Sequence, residues 1–325
     1  MEPMMDDKLK LLVFTDLHSE IIDNAEERVD SIINAAKSNN VDLIINIGDF
    51  GYHATTSKTL CEIENQPVNY NIFYNEKTEK YSLRSRRLLK KFEDIGIPVI
   101  HTLGNHDMDF NSKETAINDY GMINNYYYYD IKNFRIIVLD TNYYLDDDGT
   151  KVSYSFGNNF NENKKAILSY EQTEWIKIAL QTEKRIIICS HNVLLDEPRG
   201  IGNYHDVHSI LSKSGKKILA LSGHKHVDKL TINGNLSFLE INSASYHRLG
   251  EENKVETNYS EEYLKEYPVL PYILRYPDTL YAIISLDEEN VEVKGRGDNL
   301  KINNHNDLER INNSNISSKI KDYKY

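Results

Sequence analysis

The run Leu11-Leu12-Val13-Phe14 stops at Thr15-Asp16-Leu17-His18, and this stretch decides the fold. A short apolar run bounded by polar residues reads as a strand, and the residues that end it can ligate metal. The same design recurs along the chain. Val41-Asp42-Leu43-Ile44-Ile45-Asn46-Ile47 stops at Gly48-Asp49, and Pro98-Val99-Ile100-His101-Thr102-Leu103 stops at Gly104-Asn105. Phe134-Arg135-Ile136-Ile137-Val138-Leu139 stops at Asp140, Arg185-Ile186-Ile187-Ile188-Cys189 at Ser190-His191, and Lys217-Ile218-Leu219-Ala220-Leu221 at Ser222-Gly223-His224. Open α/β sheets place ligand sites beyond the C-terminal ends of their strands, so the recurrence predicts one shared site.

Between the runs, helical spacing covers Ala25 to Ser38, Leu83 to Asp94 and Glu171 to Thr182, the last with Trp175, Ile176, Ala179 and Leu180 on one side. Strands alternating with helices predict an α/β class. The polar, Asn- and Tyr-rich stretch 52–82 reads as an insertion capping the site. We expect a core over residues 1–250 and a C-terminal extension over 251–325. The extension opens with an acidic, Tyr-rich segment and continues with a hairpin from Thr279 to Leu286 and Asn290 to Lys294. It ends in a polar tail.

The composition bounds the function. The chain has 325 residues, 50 acids against 38 bases and a net charge of −12. That balance argues against long nucleic acid and anionic membrane as partners, since both require a basic footprint. No run approaches the roughly 18 apolar residues of a transmembrane helix, and the N-terminus lacks the order of a signal peptide, so a cytoplasmic location is expected. Two cysteines, Cys61 and Cys189, are too few for a disulfide framework.

Five local signals occur in order: Asp16-Leu17-His18, Gly48-Asp49, Gly104-Asn105-His106-Asp107, His191 and Gly223-His224-Lys225-His226. A Gly-Asp pair alone is explained by a turn. All five together, each closing a strand-like run, resemble the calcineurin-like metallophosphoesterase superfamily over about Leu9 to Asn242. The Gly-His-Lys-His form is most similar to its cyclic-nucleotide-phosphodiesterase-type branch. The resemblance implies a four-layer α/β/β/α sandwich, two mixed sheets flanked by helices. It also implies a first metal held by Asp16, His18 and His226, a second held by Asn105, His191 and His224, and Asp49 bridging the two. His106 is implied as general acid, with Asp107 orienting its ring.

The chemistry accounts for these residue types. Two cations about 3.5–4 Å apart activate a water as nucleophile and stabilise the entering and leaving oxygens of a phosphate ester. A carboxylate can serve both metals, and neutral imidazoles hold Mn, Fe or Zn without cancelling their charge. His224 and His226 are two apart, as are Asp16 and His18, so in extended backbone each pair faces one side and Lys225 points away.

The expected function is a dinuclear-metal phosphohydrolase of a small, nucleotide-like phosphate ester, with a slight preference for a diester. The alternatives are a phosphomonoesterase, a nuclease on the same scaffold, and a non-catalytic scaffold that has lost its metals. The acidic total disfavours the nuclease, and the intact ligand set disfavours the scaffold. Substrate-binding candidates are His53, Arg199 in a Gly-containing loop, and His247 at the pocket edge. His205 and His208 read as a surface helix, Asp140-Thr141-Asn142 as a turn opening, and Tyr126 to Tyr129 as strand residues.

Overall fold

The computed structural model describes residues 8–51, 84–109, 111–158, 164–249, 259–267, 269–297 and 319–325. The chain runs β1 (Leu9–Phe14), α1 (Ala25–Ser38), β2 (Leu43–Asn46), α2 (84–90), β3 (Val99–His101), a 3-10 turn (Asn105–Met108), α3 (Lys113–Asp119), β4 (Tyr127–Ile131) and β5 (Phe134–Leu139). There follow β6 (Tyr143–Leu145), β7 (Lys151–Ser153), α4 (Tyr170–Ala179), β8 (Arg185–Ser190), α5 (Tyr204–Lys213), β9 (Ile218–Ser222), β10 (Lys229–Asn233), β11 (Leu236–Glu240) and β12 (Tyr246–Arg248). The chain ends with α6 (Glu261–Glu266), β13 (Ile273–Arg275), β14 (Ala282–Leu286), β15 (Val291–Lys294) and β16 (Tyr323–Lys324).

Two six-stranded mixed sheets form, ordered β16-β15-β14-β1-β2-β3 and β10-β11-β9-β8-β5-β4. Successive side chains of a strand alternate between faces, and here both faces are buried. Leu9, Leu11 and Val13 of β1 and Leu43 and Ile45 of β2 meet Ile187 and Cys189 of β8 and Leu219 and Leu221 of β9 between the sheets. Their alternates turn outward. Leu12, Phe14 and Ile44 pack on Val29, Ile32 and Ala36 of α1 and Leu88 of α2, while Ile186, Ile188, Ile218 and Ala220 pack on Ile176 of α4 and Val207 and Leu211 of α5. The layers are therefore α/β/β/α.

The hairpin expected after residue 279 forms as β14 and β15, in register Ile284 to Val293. β14 also pairs antiparallel with β1, Leu11 opposite Ile284, and β16 adds to β15. These strands complete half of the first sheet, so residue 250 does not separate a core from an extension. The stretch 52–82, with His53 and Cys61, lies outside the described residues. Cys189 is buried and free, its thiol pushed up by burial. Tyr126 and Tyr128 pack on Trp175 at 5.1 and 6.3 Å, as a strand edge covered by a helix. Among the described residues no helix is long and apolar enough to cross a membrane.

Candidate metal centre

The loops beyond β1, β2, β3, β8 and β9 meet at one end of the sandwich, and their backbones are strained there. Asp16, His18, Asp49, His224 and His226 have φ of 52°, 48°, 51°, 69° and 54°, five of the nine described non-glycine residues in the left-handed region. Such conformers cost about 1–3 kcal/mol each and persist only where neighbours impose them. Here the loops after β1 and β2 are laced together, the Asp16 and His18 amides donating to Gly48 O and Asp49 O, both at 3.0 Å. The extended geometry expected for the two i, i+2 pairs is therefore incorrect. Each pair kinks, and His224 and His226 fall into different ligand groups. Lys225 does turn away, to the carboxylates of Glu197 and Glu240.

The motif glycines are set by close approach. A Cβ on Gly104 would lie 2.1 Å from Asp49 Oδ1, and one on Gly223 would lie 2.1 Å from Thr15 Oγ1. Gly48, at φ 93°, approaches the Gly104 amide.

Two groups of ligand atoms result: Asp16, His18 and His226, and Asp49, His191 and His224, with the atoms of each within 4.8 Å of one another. Asp49 links them. Its Oδ2 is 3.0 Å from His191 Nε2 and 3.9 Å from His18 Nε2, while its Oδ1 accepts the His106 amide at 2.8 Å. Asp16 is divided likewise. Oδ2 accepts from the Thr15 hydroxyl at 2.6 Å and the His224 amide at 3.0 Å, which leaves Oδ1 3.2 Å from His226 Nε2. His191 Nδ1 is 2.8 Å from Ile47 O and His226 Nδ1 3.1 Å from Tyr246 O, so each ring turns Nε2 inward, the orientation a metal-ligating histidine requires. Asn105 is buried, and its Oδ1 makes no hydrogen bond among the described residues.

Electrostatics agree with the donor chemistry. Burial alone would raise the Asp16 carboxyl, but His226 overcomes it and holds the group well below the usual range; Asp49 is lowered against burial by His191. Burial would lower His191, yet the Asp49 carboxylate prevails and raises it to about 9. His224 falls to about 3 through burial and then the charge on His191. A proton on His191 thus neutralises carboxylates that a cation would neutralise. The buried carboxylates and imidazoles of these two groups are donors that suit divalent metals, and the buried amide oxygen of Asn105 is a further donor left without a hydrogen bond among the described residues.

His106 sits beside this cluster, its ring 5.5 Å from that of His18. The partner of its Nδ1 is Asp109, at 2.9 Å, and not Asp107 as expected. Asp107 faces the other way, accepting the amides of Gly104, Asp49, Phe50 and Gly51 at 2.8, 2.9, 3.1 and 3.2 Å, and the Tyr120 hydroxyl. It is a brace for the loops, because four converging N–H groups occupy its oxygens. The signal for Asp109 was its i, i+3 spacing from His106, which a 3-10 turn eclipses.

Tyr246 also escaped the sequence reading; its ring lies 5.3 Å from His18 and 5.0 Å from His226. His247, next along β12, is half-buried, and burial, then His226, lowers it to about 4. Arg199, at φ 62°, has its carbonyl held by Asn192 at 3.2 Å, and its guanidinium adds to the field that keeps His224 neutral. His205 and His208 sit on α5 with Tyr204 and Asn233 as neighbours, away from both groups. Asp140 is buried against Lys113 and Asn125, at 2.6 and 2.8 Å, and Asn142 donates to Leu103 O at 2.8 Å, so this segment supports the Gly104 loop.

A family model described as calcineurin-like phosphoesterase matches residues 9–228. Among solved structures, the chain is similar to a dimetal phosphatase from Danio rerio, at 13% identity and a TM-score of 0.58, covering 89% of this chain and 96% of that one. It is also similar to a purple acid phosphatase from yellow lupin (Lupinus luteus) seeds, at 13% identity and a TM-score of 0.51, covering 89% of this chain and 51% of that one. No curated protein sequence matches this chain.

Proposed function

This chain belongs to the calcineurin-like phosphoesterase family and is a metal-dependent phosphoester hydrolase, and from that premise we propose that it hydrolyses a small phosphate ester at a dinuclear centre. The observation that carries this reading is the single Asp49 oxygen, Oδ2, lying between two ligand groups while Oδ1 is held by the His106 amide. Asn105, whose buried Oδ1 makes no hydrogen bond among the described residues, would serve as a further ligand of the second metal. Mn, Fe and Zn suit the mixture of imidazole, carboxylate and amide donors.

When bound, the metal pair supplies an activated water and a positive field for the phosphoryl oxygens. The remaining work falls to the chain. His106 donates a proton to the leaving oxygen through Nε2, because Asp109 occupies Nδ1 and fixes the ring. Asp107 holds the Gly104 and Asp49 loops so that His106 and the bridge keep their spacing. Arg199 and His247, with His53, contribute to substrate binding. The net charge of −12 does not oppose this, since two divalent ions offset about +4 where the ester binds.

Within this class, the Gly-His-Lys-His resemblance favours a nucleotide-like diester, and a monoester is the second reading. Hydrolysis of a generic monoester, a generic diester and cyclic nucleotides, compared with added Mn and with added Zn, tests both. Faster turnover of a diester supports the first reading and faster turnover of the monoester the second. No bound divalent metal, and no hydrolysis with any metal added, refutes the dinuclear reading.

A further inference from the structure

All three ligands of the first group lean on one four-residue segment, Ser243–Tyr246, which lies past the family-matched region and runs from the loop after β11 into the first residue of β12. The Ser243 and Ser245 hydroxyls donate to the carbonyl of Asp16 at 2.8 and 3.1 Å, holding its strained backbone. Ser243 Oγ in turn accepts the amides of Ser245 and Tyr246, both at 3.2 Å, so its donor and acceptor capacity is fully used. The Ala244 amide donates to Thr15 O at 2.8 Å. Tyr246 supplies the carbonyl facing His226 Nδ1 and the ring against His18 and His226. The four residues are wholly buried. The buried Arg28 guanidinium of α1 fixes the segment from behind, donating to Ala244 O and Asp278 O at 3.0 Å and to Tyr276 O at 2.6 Å. In the second group His191 is braced by Ile47 O and Asp49 by the His106 amide, and His224 meets the first group through its backbone amide, at Asp16 Oδ2, not through its ring.

We infer that Ser243 is a positioning residue that sets the affinity of the first metal site and leaves the second unchanged. This rests on the dinuclear reading above. A shift in an outer support of a ligand weakens metal affinity by about 10- to 100-fold.

The test is Mn2+ titration of the metal-stripped chain by equilibrium dialysis, with the electron paramagnetic resonance signal separating mononuclear from coupled Mn. Wild type should bind two ions in two steps. In Ser243→Ala one step should weaken by about 10- to 100-fold while the other holds, and excess metal should restore turnover. Ser245→Ala removes one of the two donors and should shift the same step less, which keeps the comparison open if Ser243→Ala does not fold. Unchanged steps in a folded variant, or equal weakening of both, overturn the inference. A wild-type chain that binds no Mn2+ overturns the dinuclear reading instead.

Discussion

Gly104→Ala should disable the centre without altering any ligand. Gly104 has φ −89° and ψ 169°, a conformation alanine adopts freely, so only the added methyl matters. That carbon would lie 2.1 Å from Asp49 Oδ1 and 2.3 Å from Asp49 N, short of ordinary contact by about 1.3 Å at the nearer atom. Neither atom can yield alone. Oδ1 accepts the His106 amide at 2.8 Å, and Asp49 N donates to Asp107 Oδ2 at 2.9 Å. The loops must part, and overpacking of this kind costs about 1–3 kcal/mol. A functional constellation tolerates about 0.5 Å of displacement, and a 1 Å error lowers turnover on the order of 100-fold. Because Asp49 Oδ2 faces both ligand groups, metal binding at both should weaken. Metal content, thermal melting and ester hydrolysis are measured together, with Gly202→Ala as control, where the added carbon meets Lys165 Cβ at a tolerable 3.3 Å. A Gly104→Ala chain that binds two metals and turns over at the wild-type rate refutes the reasoning.

Asp49→Asn should lower turnover more than loss of any other single ligand, because both metals weaken at once; near-normal rates would end the bridging role. His106→Ala should slow hydrolysis of an alkyl ester by about 100- to 10,000-fold with metal content retained, and slow a nitrophenyl ester far less, since that leaving group needs no proton. Asp109→Asn should show the same dependence on leaving group to a smaller degree, and loss of metal from either variant would contradict the assignment. Acid stability supplies an independent check on the fold. Burial lowers His101 to about 4, with Asn46 Nδ2 at 3.2 Å from its ring. Its folded pKa lies below the unfolded one, so the unfolded chain binds the extra proton. Stability is therefore full above pH 6.5 and falls by up to about 3 kcal/mol as pH drops to 4. Urea melts at pH 7, 5.5 and 4.5 should lose that slope in His101→Gln, and an equal slope in both chains would refute it.

The fold was legible where strands announced themselves as apolar runs closing on polar residues. It was illegible where those runs carry no alternation. Leu9, Leu11 and Val13 face the other sheet while Leu12 and Phe14 face α1, but all are apolar, so nothing in the letters separates the faces. Neither does anything local announce that Leu11 pairs with Ile284. β1, buried on both faces, needs hydrogen-bonded partners on both edges; β2 fills one and β14 of the C-terminal hairpin the other, a pairing between residues far apart in sequence.

At the site, the candidate ligand types were legible because chemistry limits which side chains can hold metal. Geometry was not, because it belongs to the backbone. Strand periodicity placed His224 and His226 on one side, but left-handed turns at both residues break the period and send one histidine to each group. The same reasoning explains the exchange of Asp107 for Asp109. A carboxylate one residue after His106 lies near it in sequence, yet in a 3-10 turn the residue that eclipses position i is i+3, so the nearer acid is turned to the loops and the farther one meets the imidazole. Asp107 inside the motif and Asp109 two residues beyond it therefore have different tasks. Converting Asp107 to Asn should strip acceptor capacity from four converging amides and destabilise both loops, whereas converting Asp109 to Asn should leave the loops standing and act on His106 alone. The two roles separate by melting temperature against leaving-group dependence, and a pair of variants with the same profile in both would show that the carboxylates act as one unit.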